Sequence, residues 1–148
     1  MKRYLLFAFF FAYPFCAQAD RTPIDLPPMI HNQFLANMRD HLLAVSEIQT
    51  ALGAGQFKKA ADIASSRLGL KAPSSAACRM KKANSTMADP LAKYMPPAMH
   101  KIGFQMHTAA DHFADVANSK DYKEAIGALA LVTKQCASCH ANFKLADR

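Results

Sequence analysis

Two cysteines and a histidine near the end of the chain, Cys136, Cys139 and His140, have the types and the spacing that can hold a cofactor. The C-x-x-C-H pattern is typical of covalent attachment of a c-type haem, with two thioether bonds to sulfur and an imidazole on the iron. In a helix of about 3.6 residues per turn, the three side chains fall within an arc of roughly 100°. One helix face can therefore supply both thioethers and the iron ligand.

Two other kinds of site use similar residues. A thioredoxin-like redox pair needs a βαβ unit, with its first cysteine at the N-terminus of a helix, where the pKa of the thiol is lowered. A structural zinc site usually takes four protein ligands, and only three candidates are clustered here. The motif lies deep inside a predicted helix with no strand nearby, which favours the haem interpretation.

The start of the sequence predicts export. Residues 1–19 combine a basic start at Lys2 and Arg3, an apolar stretch and the small-x-small ending Ala17-Gln18-Ala19, as in a cleaved signal peptide. The mature chain is then one domain, residues 20–148, which is long enough for a single core. We expect a periplasmic protein in an oxidising compartment.

Charge and composition limit the classes of molecule that this protein is expected to bind. Loss of Lys2 and Arg3 with the signal peptide lowers the formal net charge from +7 to +5. The basic residues are scattered and form no stripe interleaved with aromatic side chains, so nucleic acid binding is not favoured. A basic surface suits an acidic redox partner, and an ordinary solvated surface explains the charge equally well.

After the signal no apolar run of roughly 20 residues follows, so no stable membrane insertion is expected. Cys78, the remaining cysteine of the mature chain, has no role that the sequence assigns.

Four amphipathic segments predict an all-α protein. Apolar residues at steps of three and four indicate helices over 34–52, 56–70, from 96 or 97 to 116, and 121–143. Residues 71–94 are polar, contain prolines and read as a long connection with one short helical turn. No segment alternates long enough to predict a strand. This order fits an antiparallel up-down-up-down four-helix bundle, in which inward side chains can build a cofactor site.

Specific positions mark the first and last helices. The first has an inward stripe that ends before Gly53 and Gly55, and the last begins at an acidic cap, Asp121, with Glu124 three residues later. The stripe of the first helix consists of Leu35, Met38, Leu42, Val45, Ile48 and Leu52. The stripe of the last helix consists of Ile126, Leu129, Val132, Cys136, His140 and Phe143.

The chain resembles the class II c-type cytochromes, the cytochrome c′ family, in its export signal, its four helices and its C-x-x-C-H motif in the last helix. The resemblance implies one covalent haem c with its iron, thioethers at Cys136 and Cys139, and His140 as the proximal ligand. In the family an aromatic residue and an arginine commonly follow the motif, and here Phe143 and Lys144 occupy those places. It also implies a possible pairing of two copies through the first two helices.

The sixth iron ligand of this family lies on the first helix, and the resemblance places Met38 there. Methionine at helical spacing is also common core filler. Three other residues are alternative ligands, namely His41 on the same helix and Met99 and Met106 on the third helix. The other histidines, His31, His100, His107 and His112, are expected at the surface or at the boundary of the core.

Two functions follow, and the iron coordination separates them. With a thioether and an imidazole both bound, substrates cannot reach the metal, and the protein is an electron carrier and not an enzyme. With a vacant sixth position in an apolar pocket, it binds nitric oxide or carbon monoxide. No set of acid, base and nucleophile in the sequence indicates a catalytic centre.

Overall fold

The computed structural model describes residues 20–79 and 90–146, and most of the regular structure in these two ranges is helical. The predicted signal peptide, residues 1–19, lies outside the described residues. The four α-helices are α1 (Pro28–Gly53), α2 (Phe57–Ile63), α3 (Pro97–Ala117) and α4 (Tyr122–Asn142). A π-helical segment (Ala64–Leu68) continues α2, and short 3₁₀ turns lie at Pro73–Ser75 and Pro90–Lys93. The high helical content agrees with the predicted all-α class.

The helix ends follow from local chemistry. Helix α1 begins at Pro28, six residues before the predicted start at 34, because proline at the first helical position needs no backbone N–H and has a helical φ. It ends at Gly53 as predicted, and Gly55 takes the left-handed φ of 69° that the following turn requires. The predicted cap of α4 is confirmed, since the Asp121 carboxylate accepts a hydrogen bond from the Glu124 backbone N–H at 2.9 Å.

The second predicted helix is divided in two. Helix α2 stops at Ile63, and the π-helical segment ends where the Gly69 N–H donates to the Ala64 carbonyl at 2.8 Å. A Cβ at Gly69 would overlap the Asp111 carboxylate and lie 2.7 Å from the Ser65 carbonyl oxygen. Glycine therefore permits a close approach between this segment and α3.

The prediction that the chain has no strand is wrong. Strand β1 (Thr22–Ile24) pairs in parallel with strand β2 (Phe143–Leu145), with Thr22 opposite Phe143. Three residues are too few for an alternating pattern to be recognised, and these strands depend on their mutual pairing. Phe143 thus lies in β2 and not on the last helical stripe. The pairing places residues 22–24 beside the end of α4. At the same place the Arg21 guanidinium donates a hydrogen bond to the His140 carbonyl oxygen at 3.4 Å.

The core lies where α3 and α4 pack along each other and against α1, α2 and the π-helical segment. Many of its members are alanines, which let the helices approach closely, and Phe113, Ile48, Leu52 and Leu68 fill the centre. Helix α1 packs against α2, whereas α1 and α4, both fully described, make hardly any close approach to each other. The gap between α1 and α4 is where the candidate site lies.

Besides Phe143, which lies in β2, and His140, which is exposed, two more predicted stripe residues differ from expectation. Ile126 is 42% exposed because the buried face of α4 is centred on alanines and on Leu129 and Val132. Leu42 is 72% exposed because it lies at the rim of the gap, while His41 takes the adjacent buried position.

Candidate functional site

A cavity of about 420 Å³ opens between α1, α3 and α4, and it contains the residues that the sequence singles out. Its volume is in the range of ligand pockets, about 300–1,000 Å³. Helix α4 contributes Cys136, Cys139 and His140 to its lining, and α1 contributes Met38. The remaining lining is mostly apolar and comes from α1, from α3 and from the connections at 74–78 and 91–95.

The three motif residues lie in the last two turns of α4 and share the face that borders the cavity. Cys136 and Cys139 are half-buried free thiols, and His140 is exposed. Cys136 Sγ lies 3.5 Å from the Val132 carbonyl oxygen, a weak hydrogen bond one turn back in the same helix. The helix therefore presents two thiols and one imidazole together, as the spacing predicts.

Electrostatics distinguishes this pair from a redox dithiol. Burial raises the pKa of the Cys136 thiol, and burial followed by the neighbouring Cys136 raises the pKa of the Cys139 thiol. The reactive cysteine of a thioredoxin-like site has a lowered pKa at a helix N-terminus. Here Cys136 lies fourteen residues after the start of α4, so the geometry and the pKa both disfavour dithiol redox chemistry.

The methionine candidates all line the same cavity. Met38 on α1 is half-buried, while Met99 and Met106 on α3 are buried, at 5% and 7% exposure. Met38 lies on α1, whereas the other two methionines lie on α3, the helix that packs along α4. All three thioethers therefore line the cavity that the Cys136–His140 motif also lines.

Two histidines form the inner end of the cavity, and the expectation for one of them is wrong. His107 is 1% exposed and not at the surface, and its Nδ1–H donates to the Leu68 carbonyl at 2.6 Å. His41 is 9% exposed, lies 2.9 Å from the Ser74 hydroxyl through Nε2, and meets His107 edge to face at 5.7 Å between ring centroids. His107 lies on the same face of α3 as Gly103 and Ala110, from which it is spaced by four and three residues. The predicted apolar stripe of this helix ran through Met106, so it did not indicate that His107 is buried.

Cys78 also lies in the cavity wall. It is buried, and its sulfur faces the backbone of α3 at Gly103, where a Cβ would overlap it. The close approach explains why glycine occupies position 103 in the middle of a helix.

The donor set fits a covalently bound haem c better than a bare metal ion. Two neighbouring thiols and an imidazole on one helix face, together with a methionine and a mostly apolar lining, are the groups that would hold a covalent haem and surround its macrocycle. In the described residues, no group of three or more His, Cys, Asp or Glu side chains is arranged to hold a metal ion.

Among the helices of the described ranges, none combines the length and the apolar character needed to cross a membrane. Comparison of the chain with models of protein families, with curated proteins and with solved structures finds no match.

Proposed function

We propose that the chain is a monohaem c-type cytochrome resembling the cytochrome c′ family, exported to the periplasm, that carries electrons and is not an enzyme. The observation that supports this most strongly is the cavity between α1 and α4, which is lined by Cys136, Cys139, His140 and Met38. If a haem is bound, His140 would supply an imidazole and Met38 a thioether to its iron.

Each site residue has a distinct role in the proposal. Cys136 and Cys139 hold the haem through thioether bonds, His140 is the proximal iron ligand and Met38 is the distal ligand. When bound, the haem supplies one-electron oxidation and reduction of its iron. With haem bound, His140 and Met38 would both coordinate the iron and would leave no position for another molecule, which suits a carrier.

The walls of the cavity add a suitable environment. Their side chains are mostly apolar and exclude water, and the two histidines at the inner end, His41 and His107, have pKa values lowered chiefly by burial. The inner end is therefore uncharged at neutral pH. A cofactor in such surroundings is shielded from solvent, which influences its reduction potential.

The proposal includes an antiparallel up-down-up-down arrangement of the helices around one haem. Short connections, 54–56 and 118–121, join α1 to α2 and α3 to α4, and the helices of each pair pack on each other. Short loops of this kind favour antiparallel neighbours, which supports the bundle topology.

The redox partner is expected to present an acidic surface. Exposed Arg39 borders the cavity on α1, and exposed Lys134 lies two residues before Cys136 on α4. Basic side chains beside an electron-transfer site steer an acidic partner towards it. Pairing of two copies remains part of the family resemblance and is not needed for electron transfer.

Absorption spectra with carbon monoxide test the carrier function. We expect the reduced full-length holoprotein to give a low-spin spectrum that brief exposure to carbon monoxide does not change, because Met38 fills the sixth position and the gas binds only slowly. Met38→Ala is expected to give high-spin iron that binds carbon monoxide. The matched control is Met29→Ala, since Met29 on the same helix is 82% exposed and does not line the cavity.

The opposite spectrum would support the alternative function. Rapid and complete carbon monoxide binding by the unmodified protein would contradict the carrier proposal and favour a five-coordinate protein that binds nitric oxide or carbon monoxide. A low-spin spectrum that Met38→Ala leaves unchanged would instead move the search for the ligand to His41, Met99 and Met106.

A further inference from the structure

Residues 67–75 follow α2 in the chain and lie beside the inner end of the cavity, where they contact both α1 and α3. The first residue of this segment, Arg67, forms ion pairs with Asp40 and Glu47, which lie two turns apart on α1. The Arg67 guanidinium also donates to the Asp40 backbone carbonyl at 3.2 Å, and its Nη1 lies 2.5 Å from a Glu47 carboxylate oxygen. The Arg67 side chain therefore contacts α1 at two points that lie two helical turns apart.

The same segment holds α1 at a third point. The Ser74 hydroxyl lies 3.3 Å from the Arg67 carbonyl oxygen, and it forms a hydrogen bond with Nε2 of His41 at 2.9 Å. His41 follows Met38 by three residues, about one helical turn. The hydrogen bond therefore fixes α1 close to the proposed iron ligand.

Helix α3 is held by the neighbouring backbone. The Leu68 carbonyl accepts from His107 Nδ1–H at 2.6 Å, and the Leu70 N–H donates to the Asp111 carboxylate at 3.0 Å. These bonds anchor the segment to α3, and α3 packs along α4. A continuous chain of contacts thus runs from α4 through α3 and the segment to α1.

Direct contact between α1 and α4 does not set the distance across the cavity, because these two helices make hardly any close approach within their described lengths. The C-terminal half of α1 is packed into the core, and its N-terminal half, with Met38, borders the cavity. We propose that residues 67–75, which we call the brace, set the position of α1 and thereby hold Met38 at the distance from His140 that iron ligation needs. Arg67 and Ser74 are positioning residues, since they act through α1. This inference depends on the proposed function for its spectroscopic consequence and on the fold alone for its geometric one.

Loss of a brace contact widens the range of positions that α1 samples. A bond between a thioether and iron is then broken more often, which opens the sixth position to an added ligand. We expect the carbon monoxide association rate to rise about tenfold in Arg67→Gln, a factor that corresponds to about 1.4 kcal/mol. The charge-transfer band of thioether-ligated ferric haem should weaken in parallel.

The test compares matched variants of the full-length holoprotein. Arg67→Gln and Ser74→Ala remove brace contacts, whereas Ser74→Thr keeps the hydroxyl and should restore both readouts. Lys58→Gln is the control, because it removes an exposed ion pair with Asp62 at 2.7 Å that lies within α2 and includes no residue of α1. Circular dichroism at the assay temperature verifies that each variant is folded, and the reduction potential gives a third readout that folding alone does not change.

A distance measurement keeps the inference independent of the cofactor. Non-thiol spin labels at exposed positions Ala36 on α1 and Lys134 on α4 report the gap directly. We expect Arg67→Gln and Ser74→Ala to broaden the distribution of distances and Lys58→Gln to leave it unchanged. If both brace variants retain the wild-type distribution and the wild-type carbon monoxide rate, the brace has no positioning role. Absence of haem in the wild-type chain would contradict the proposed function, and the label distances would still decide the geometric claim.

Discussion

Burial determines the charge of the two histidines at the inner end of the cavity. The pKa of His41 is lowered to about 4, first by desolvation and then by its proximity to His107. The pKa of His107 is lowered as well, again chiefly by desolvation, although its bond to the Leu68 carbonyl opposes the shift. Both side chains are therefore neutral at pH 7.

These lowered pKa values predict a loss of stability in mild acid. The unfolded chain binds a proton at His41 near its ordinary pKa of 6.5, whereas the folded chain resists until about pH 4, so stability falls as the pH drops through this window. Between pH 7 and pH 5 the free energy of unfolding should decrease by about 2 kcal/mol from His41 alone. Urea unfolding of the full chain at several pH values measures this.

His41→Gln serves as the comparison, because glutamine does not titrate and its amide can still donate to the Ser74 hydroxyl. We expect a clearly shallower decline of the free energy of unfolding between pH 7 and pH 5 in this variant. An identical decline in the variant and in the wild-type chain would show that His41 does not contribute to acid sensitivity.

The site residues differ in how far the sequence predicts them. The spacing of Cys136, Cys139 and His140 places them on one face of any helix, and α4 presents them to the cavity together. Met38 also lies in the cavity wall, where the predicted stripe puts it. The burial of His107 depends on a carbonyl in the π-helical segment, which no local pattern encodes.

At the scale of elements, the approach of the 74–78 connection to α3 depends on Gly103. A Cβ at this position would overlap the Cys78 sulfur, so Gly103→Ala should lower the free energy of unfolding by about 1–3 kcal/mol, the usual cost of overpacking. In the background of Cys78→Ala the sulfur is absent, and the same substitution should raise stability by up to about 1 kcal/mol, because alanine favours helices. Urea titration of the four chains measures this coupling.

Gly127→Ala is the matched control for the helical propensity. Gly127 lies in α4, and no heavy atom is within 4 Å of the Cβ it would carry. This substitution should stabilise the chain by up to about 1 kcal/mol. Equal effects at positions 103 and 127 in the wild-type background would contradict the close contact between Cys78 and α3.

Helices were the most predictable elements, because a long amphipathic period and a cap such as Asp121 are local signals. Two features were missed for the same physical reason. The division of the second helix at Ala64 and the pairing of Thr22–Ile24 with Phe143–Leu145 both depend on partners distant in sequence. The apolar period also continues across the junction at Ala64, so it could not indicate the change of helix type.

At the scale of the whole molecule, the gap between α1 and α4 is the feature that separates this chain from a closed helical bundle. Amphipathic stripes predict which faces turn inwards, and they do not reveal whether two inward faces meet or enclose a space. The N-terminal part of the α1 stripe, with Met38 and Val45, lines the cavity, and its C-terminal part, with Ile48 and Leu52, enters the core. One stripe thus serves both packing and the candidate site.

The central claim is that Cys136 and Cys139 carry a haem, and the intact mass of the exported protein tests it most directly. The chain should be produced in a host that matures c-type cytochromes, together with a variant in which both cysteines are serine. We predict that the wild-type chain has the mass of the polypeptide from Asp20 onward plus one haem that survives denaturation, and that the variant lacks the added mass. A wild-type mass equal to the bare polypeptide would contradict the account.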